Sequence, residues 1–315
     1  MFYRKTTIKN MKQYIRPQFL KKGDTVTVLA MASNPPESAK TEKWVEVIES
    51  WGLKVKKGKH LYDAIPGEFA GTDADRAADI EEALRDPEVK AIISWRGGYG
   101  SIRTVATLDT SLFVKYPKWI VGFSDITVFH ALFGTLGLES IHGNMPCNFF
   151  DGPDSEKSNE ILRAALFGEI RSYETAPHPY SRCGKARGRL VGGNLSLWSS
   201  TIGTPWENHI DEDCILFIED IDERMLSIDR MLWTMKCGGY LDRAKAVIIG
   251  QFTDTRGEDE WQRDVYALIK EHMDTLNCPV LFGCDCGHEQ PNISLYLGRE
   301  VELTVTPEGG LIEFL

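Results

Sequence analysis

Short apolar runs alternate with amphipathic stretches through the first half of the chain. Asp24 to Ser33 reads as a buried strand, broken by Asn34-Pro-Pro36. Trp44, Val47, Ile48 and Trp51 recur at helical spacing between about Ser38 and Trp51, and Gly52 supplies the stop. Leu53 to Lys57 alternates as a second strand. Thr72 or Asp73 then caps a helix whose stripe is Ala77, Ile80, Ala83 and Leu84, ended by Asp86-Pro87. Ala91 to Trp95 is a third strand running into Arg96-Gly-Gly-Tyr-Gly-Ser101, with a short helix over Ile102–Leu108. Trp119-Ile-Val-Gly122 is a fourth strand. It turns at Phe123-Ser124-Asp125 into a helix reaching about Leu136.

This alternation predicts a parallel sheet with helices on both faces, whose ligands bind beyond the carboxyl ends of the strands. Gly152 to Ser155 starts one more helix. Ser172 to Gly188 is polar, without a period, and reads as a linker. The second half is α+β. Cys214 to Ile218 is an apolar strand delivering Glu219-Asp-Ile-Asp-Glu223. Ser227 caps a helix through Met235, Ala246 to Phe252 is another strand, and Asp259 to Met273 is one amphipathic helix. Val280 to Phe282 leads to Gly283-Cys-Asp-Cys-Gly-His288. Ile293, Leu295 and Leu297 alternate as in a strand, and Val301 to Leu315 forms a hairpin turned at Pro307–Gly310. The expected domains are residues 13–168 and 186–315.

Composition narrows the function. The 315 residues suffice for two cores. A net charge of −10 argues against nucleic acid as a partner, and no apolar run spans a membrane. Met1 to Asn10 is basic but lacks the apolar stretch of a secretory signal, and Met11 is an equally good start. Seven scattered Cys without a framework fit a reducing compartment. Cys284-x-Cys286-x-His288 does not have the spacing of a zinc site, so no metal is expected.

Three polar residues sit at strand-to-loop junctions: Ser124, Glu219 and His288. Read singly, they are a helix cap, a solvated acid and a loop histidine. Together they supply a nucleophile, a base, and an acid to hold the base. The Gly97-Gly98-Tyr99-Gly100 turn lies at the same sheet edge as Ser124. Its backbone suits a tight turn, a phosphate cradle or an oxyanion hole. The shared edge favours the last, with one N–H donor from this turn and the second from Asp125.

Several blocks carry a family resemblance. They are Leu20–Thr25, Ala70–Asp73, Arg96–Gly100, Gly122–Asp125, His142-Gly143, Gly192–Leu195, Ile218–Asp220, Ile228–Leu232 and Gly287-His288. In this order, from about Arg16 to Leu315, the chain resembles the LD-carboxypeptidase family of serine peptidases. The resemblance implies a Ser124–Glu219–His288 triad and an oxyanion hole from Gly98 and Asp125. It also implies a flavodoxin-like N-terminal α/β domain, a β-rich α+β C-terminal domain, a cleft between them and a homodimer. The implied activity is cytoplasmic and cofactor-free: release of terminal D-alanine from murein tetrapeptides in cell-wall recycling. Arg96 and Asn144 are candidates for holding the substrate's terminal carboxylate. One alternative is an immunity-type peptidase cleaving acylated aminoacyl-nucleotides, which needs an aromatic residue over the cleft, with Trp198 and Trp206 available. The other is a non-catalytic cleft-binding protein.

Overall fold

The computed structural model describes residues 14–208, 210 and 213–315. The basic stretch Met1–Asn10 and Met11 lie outside them.

Five parallel strands form the first sheet: β1 (Thr25–Leu29), β2 (Lys54–Lys57), β3 (Val89–Ser94), β4 (Trp119–Gly122) and β5 (Ser140–His142). Their order is β2-β1-β3-β4-β5, the flavodoxin-like arrangement, and a later antiparallel strand closes the β5 edge. Helices α1 (Lys43–Ser50), α2 (Asp73–Arg85), α3 (Ser101–Thr107), α4 (Ser111–Lys115) and α5 (Thr127–Leu136) lie between the strands, and α6 (Ser155–Leu166) follows β5. The inner strands are apolar on both faces because both faces meet helices. Thus Val26, Val28, Ala91, Ile93 and Val121 pack in one cluster, and Leu29, Ile92 and Ile120 in the opposite one. The capping box expected before α2 is present: Thr72 and Asp75 exchange side-chain and backbone hydrogen bonds.

The stretch read as a linker carries structure. β6 (Ser172–Thr175) is an edge strand, and β7 (Gly184–Asn194) already begins within it. Both are half-exposed and polar there, so hydrophobic patterning gave no signal. After α7 (Leu195–Ser200), β8 (Cys214–Ile221), α8 (Met225–Cys237), α9 (Tyr240–Arg243) and β9 (Ala246–Thr253) follow. Ser227 is not the cap of α8. The helix starts at Met225, and the Ser227 side chain sits inside its first turn.

The helix expected over Asp259–Met273 is two pieces, α10 (Glu258–Trp261) and α11 (Val265–Met273). Gln262 takes a left-handed φ of 51°, and Asp264 caps α11 by accepting from Ala267 N–H at 2.8 Å. Then come β10 (Val280–Leu281), β11 (Leu295–Leu297), and the hairpin β12 (Glu300–Thr306) and β13 (Gly309–Phe314).

The second sheet runs β10-β9-β8-β7-β12-β13-β6, parallel from β10 to β7 and antiparallel beyond. β11 belongs to the first sheet, pairing antiparallel with β5. β8 alternates between two cores. Leu216 and Ile218 face the helices α7, α8 and α11, whereas Ile215 and Phe217 face the opposite cluster with β11 and β12. This alternation gives Glu219 and Asp220 opposite surroundings.

Candidate active site

Three turns meet where the strand order of the first sheet reverses. Ser33, after β1, donates its backbone N–H to Gly97 O after β3, and Ser33 Oγ accepts from Tyr99 N–H at 3.0 Å. Gly97 also lies against the turn after β4: a Cβ built on it would stand 3.1 Å from Ser124 Oγ and 3.2 Å from Asp125 N. Gly98 has φ +94°, and any side chain there would collide with Ser33 Oγ, so glycine is needed for both conformation and space.

Ser124 itself has φ 60°, a left-handed conformation costly for a residue with a Cβ. Its side chain makes no capping bond, so the helix-cap reading fails. Among the described residues its hydroxyl has no hydrogen-bond partner, and it sits at the start of a 3-10 turn leading into α5. The Asp125 carboxylate turns away from solvent and accepts the N–H of Ser101 at 2.7 Å. Burial pushes its carboxyl up, opposed by hydrogen bonds from the start of α3.

Glu219 and His288 come together. His288 Nδ1–H donates to Glu219 Oε2 at 2.8 Å, with Glu219 fully buried and His288 12% exposed. Phe123, the residue before Ser124, packs edge to face on the His288 ring at 4.8 Å. Burial pulls the His288 pKa down, but the Glu219 charge and hydrogen bond, aided by Asp220, leave it above its ordinary value. Asp220 faces the other way. It accepts from Asn194 Nδ2 at 2.8 Å and Ser196 N–H at 3.0 Å, and burial, with the neighbouring Glu219 charge, raises its pKa to about 7.

The two halves are tied beside the site. Thr127 Oγ1 accepts the N–H of Asn194 at 3.0 Å, and Gly193 leaves room for that approach. Gln251 on β9 holds the histidine loop, its Oε1 accepting from Glu289 N–H at 2.8 Å. Thr127 and Gln251 had no sequence signal, whereas Gly193 and Asn194 lay in a matched block without an assigned role.

The remaining candidates are placed as follows. Arg96 is half-buried, and its guanidinium has no hydrogen-bond or ion-pair partner among the described residues. A Cβ on Gly98 would lie 3.8 Å from its Nε. Asn144 is fully buried. Its Nδ2 donates to Asn159 Oδ1 at 2.8 Å, and its Oδ1 has no partner among the described residues. Trp198 lies inside the second core, and Trp206 packs on the first. Cys284 is a core thiol, and Cys286 donates to Ile293 O at 3.2 Å. Among the described residues no group of His, Cys, Asp and Glu could hold a metal ion. Nor is any helix there long and apolar enough to cross a membrane.

A cavity of about 650 Å³ opens at the other end of β7 and β8, lined by Arg16, Glu139, Arg189 and Lys245 among others. It is remote from Ser124 in the topology, and the convergence of turns marks the site better than cavity size.

Comparison with known proteins identifies the family by sequence and by fold. Residues 26–143 match the model of the LD-carboxypeptidase N-terminal domain, and residues 187–303 that of the LD-carboxypeptidase C-terminal domain. A probable murein peptide carboxypeptidase of Bacillus subtilis is 38% identical over 95% of this chain and 94% of its own. The microcin C7 self-immunity protein of Escherichia coli is 27% identical over 89% of this chain and 90% of its own. The crystal structure of a muramoyltetrapeptide carboxypeptidase from Oxalobacter formigenes superposes with a TM-score of 0.84 at 28% identity, covering 92% of this chain and 98% of that one. With both domain models matched in order and the B. subtilis relative aligned almost end to end, this chain belongs to the LD-carboxypeptidase family.

Proposed function

We propose that this protein is a murein tetrapeptide carboxypeptidase, cleaving the L-to-D bond that releases terminal D-alanine during cell-wall recycling. The observation that carries the reading is the buried Glu219–His288 pair set against Phe123, the residue before Ser124, which is held in a left-handed turn with its hydroxyl unpartnered among the described residues. Residues 13–168 carry the nucleophile and residues 186–315 the acid and base. His288 removes the Ser124 proton through Nε2, since Nδ1–H is committed to Glu219. Ser124 attacks the carbonyl, and the N–H groups of Gly98 and Asp125 stabilise the tetrahedral oxyanion. Protonated His288 hands its proton to the D-alanine amine, then activates the water that frees the acyl-enzyme.

Arg96 is the cation we assign to the terminal carboxylate. A half-buried arginine whose guanidinium has no partner among the described residues, two residues before Gly98, suits a carboxypeptidase. Asn144 is the weaker candidate, since its Nδ2 is already bonded to Asn159. The nucleotide-cleaving alternative is disfavoured because Trp198 and Trp206 lie in or against the cores. A cytoplasmic homodimer completes the reading.

The test is incubation with murein tetra- and pentapeptides and product identification by mass. Conversion of tetrapeptide to tripeptide plus D-alanine, abolished in Ser124→Ala, is expected. Intact tetrapeptide, or undiminished turnover by Ser124→Ala, overturns the proposal.

A further inference from the structure

The base and the nucleophile belong to different halves of the chain, so something must fix one against the other. Thr127 ties Asn194, but Asn194 is not on the histidine loop. The loop 287–292 has its own tie. Ser158 on α6, in the nucleophile's half, is completely buried. Its Oγ accepts the N–H of Asn292 at 2.8 Å and donates to Gln290 Oε1. Asn292 passes the constraint on, its Oδ1 accepting the N–H of Gly287, next to His288, at 3.2 Å. Gly287 in turn abuts the acid: a Cβ there would lie 3.2 Å from Glu219 Oε2. The neighbouring residue of α6 secures the β5 end, since Asn159 bonds both Asn144 and Phe149 O. One helical turn therefore holds both the 287–292 loop and the segment after β5.

We propose that Ser158 is a positioning residue for His288, its hydroxyl locking the 287–292 loop so that the imidazole stays bonded to Glu219 and aimed at Ser124. This rests on the reading of His288 as the base. It extends that reading by making the alignment of the base depend on a hydroxyl in the nucleophile's half.

A buried serine that merely packs would change stability alone. A serine that fixes the base changes its basicity. The groups that act on His288 are Glu219 on β8, which bonds it, Asp220, whose charge reaches it from the opposite face of that strand, and the buried His142 from β5, with Phe123 from the turn after β4 packed on its ring. Glu219 is the partner that raises His288, so a slack loop lowers the pKa of the base.

The experiment is the pH profile of tetrapeptide hydrolysis by Ser158→Ala in the full chain, alongside Ser124→Ala and His288→Ala. Ser158→Ala is expected to lower kcat about 10- to 100-fold with KM within about twofold. The acid limb of kcat/KM should move to lower pH. An unchanged limb overturns the proposal, whatever happens to kcat. If Ser158→Ala does not fold, Gln290→Ala, which removes the loop's acceptor for the Ser158 hydroxyl and leaves it only Asp154 O at 3.4 Å, is read by the same criterion. Full turnover in His288→Ala or Ser124→Ala defeats the catalytic reading instead, so the two failures are distinguishable.

Discussion

The ring of His288 packs edge to face on that of Phe123, 4.8 Å between centroids, so a histidine from the second half of the chain rests on the residue preceding Ser124 in the first. On its far side His288 is bonded to Glu219. Only the neutral ring accepts the serine proton, so activity should fall as pH drops through the raised pKa of His288. Glu219→Gln removes the charge that raises it. We expect the acid limb to move to lower pH and kcat to fall about 10²- to 10⁴-fold, measured as kcat and kcat/KM across pH.

Ser124, the proposed nucleophile, carries backbone strain. Ser124→Gly relieves it, because glycine adopts φ 60° without penalty. The variant should be inactive yet more stable than the parent by about 1 kcal/mol in urea unfolding. Equal or lower stability would show that the left-handed turn costs nothing.

Gly97 offers a steric test of the oxyanion site. Gly97→Ala places a methyl 3.1 Å from Ser124 Oγ and 3.2 Å from Asp125 N. We expect kcat to drop about 10²- to 10³-fold, with a thermal midpoint within a few degrees of the parent. A fully active variant would remove the Asp125 N–H from the mechanism.

Arg96 should distinguish a free carboxylate from its amide. The parent should strongly prefer a tetrapeptide acid over its C-terminal carboxamide, and Arg96→Met should lose about 10²-fold in kcat/KM on the acid alone. Equal losses on both substrates would remove Arg96 from carboxylate binding.

Stability should also depend on pH through a histidine outside the chemistry. His130 donates from Nε2 to Gly122 O at 2.9 Å and accepts from Ser140 at 2.8 Å, completely buried. Burial lowers its pKa to about 4. The unfolded chain therefore binds a proton that the folded chain refuses between pH 6.5 and 4. Stability from this residue is complete above about pH 6.5 and decreases as pH falls, by about 3 kcal/mol in total. Urea midpoints from pH 7 to 4, with the His130 imidazole followed by NMR, check this. A ring that titrates near 6.5 would sink it.

Much of the first half was legible because its signals are local. The Thr72–Asp75 box, the apolar inner strands and the glycine turn each announce themselves within a few residues. Gln262 did not, since nothing in its neighbourhood demands a left-handed residue, and the helix over 259–273 was read as continuous. β6 and the start of β7 are polar and half-exposed, so alternation failed as a guide. At the site, only Ser124 stands just past a strand end, whereas Glu219 lies inside β8, which runs on to Ile221, and His288 sits in the long loop between β10 and β11, so the three were picked from sequence by their chemistry and by the matched blocks. The φ of Ser124, the Thr127 tie and the Ser158 clamp depend on chain segments far apart, and no local pattern encodes them.

β11 completes the first sheet from deep within the second half of the sequence, only a few residues past His288. Cutting the chain between the two family segments would leave β5 with a bare edge and strip the other fragment of the scaffold for its strand. A chimera joining the front of one relative to the back of another must therefore match this foreign strand as well as the opposing faces. The two halves are thus interlaced in this chain, each completing part of the other, rather than two movable modules.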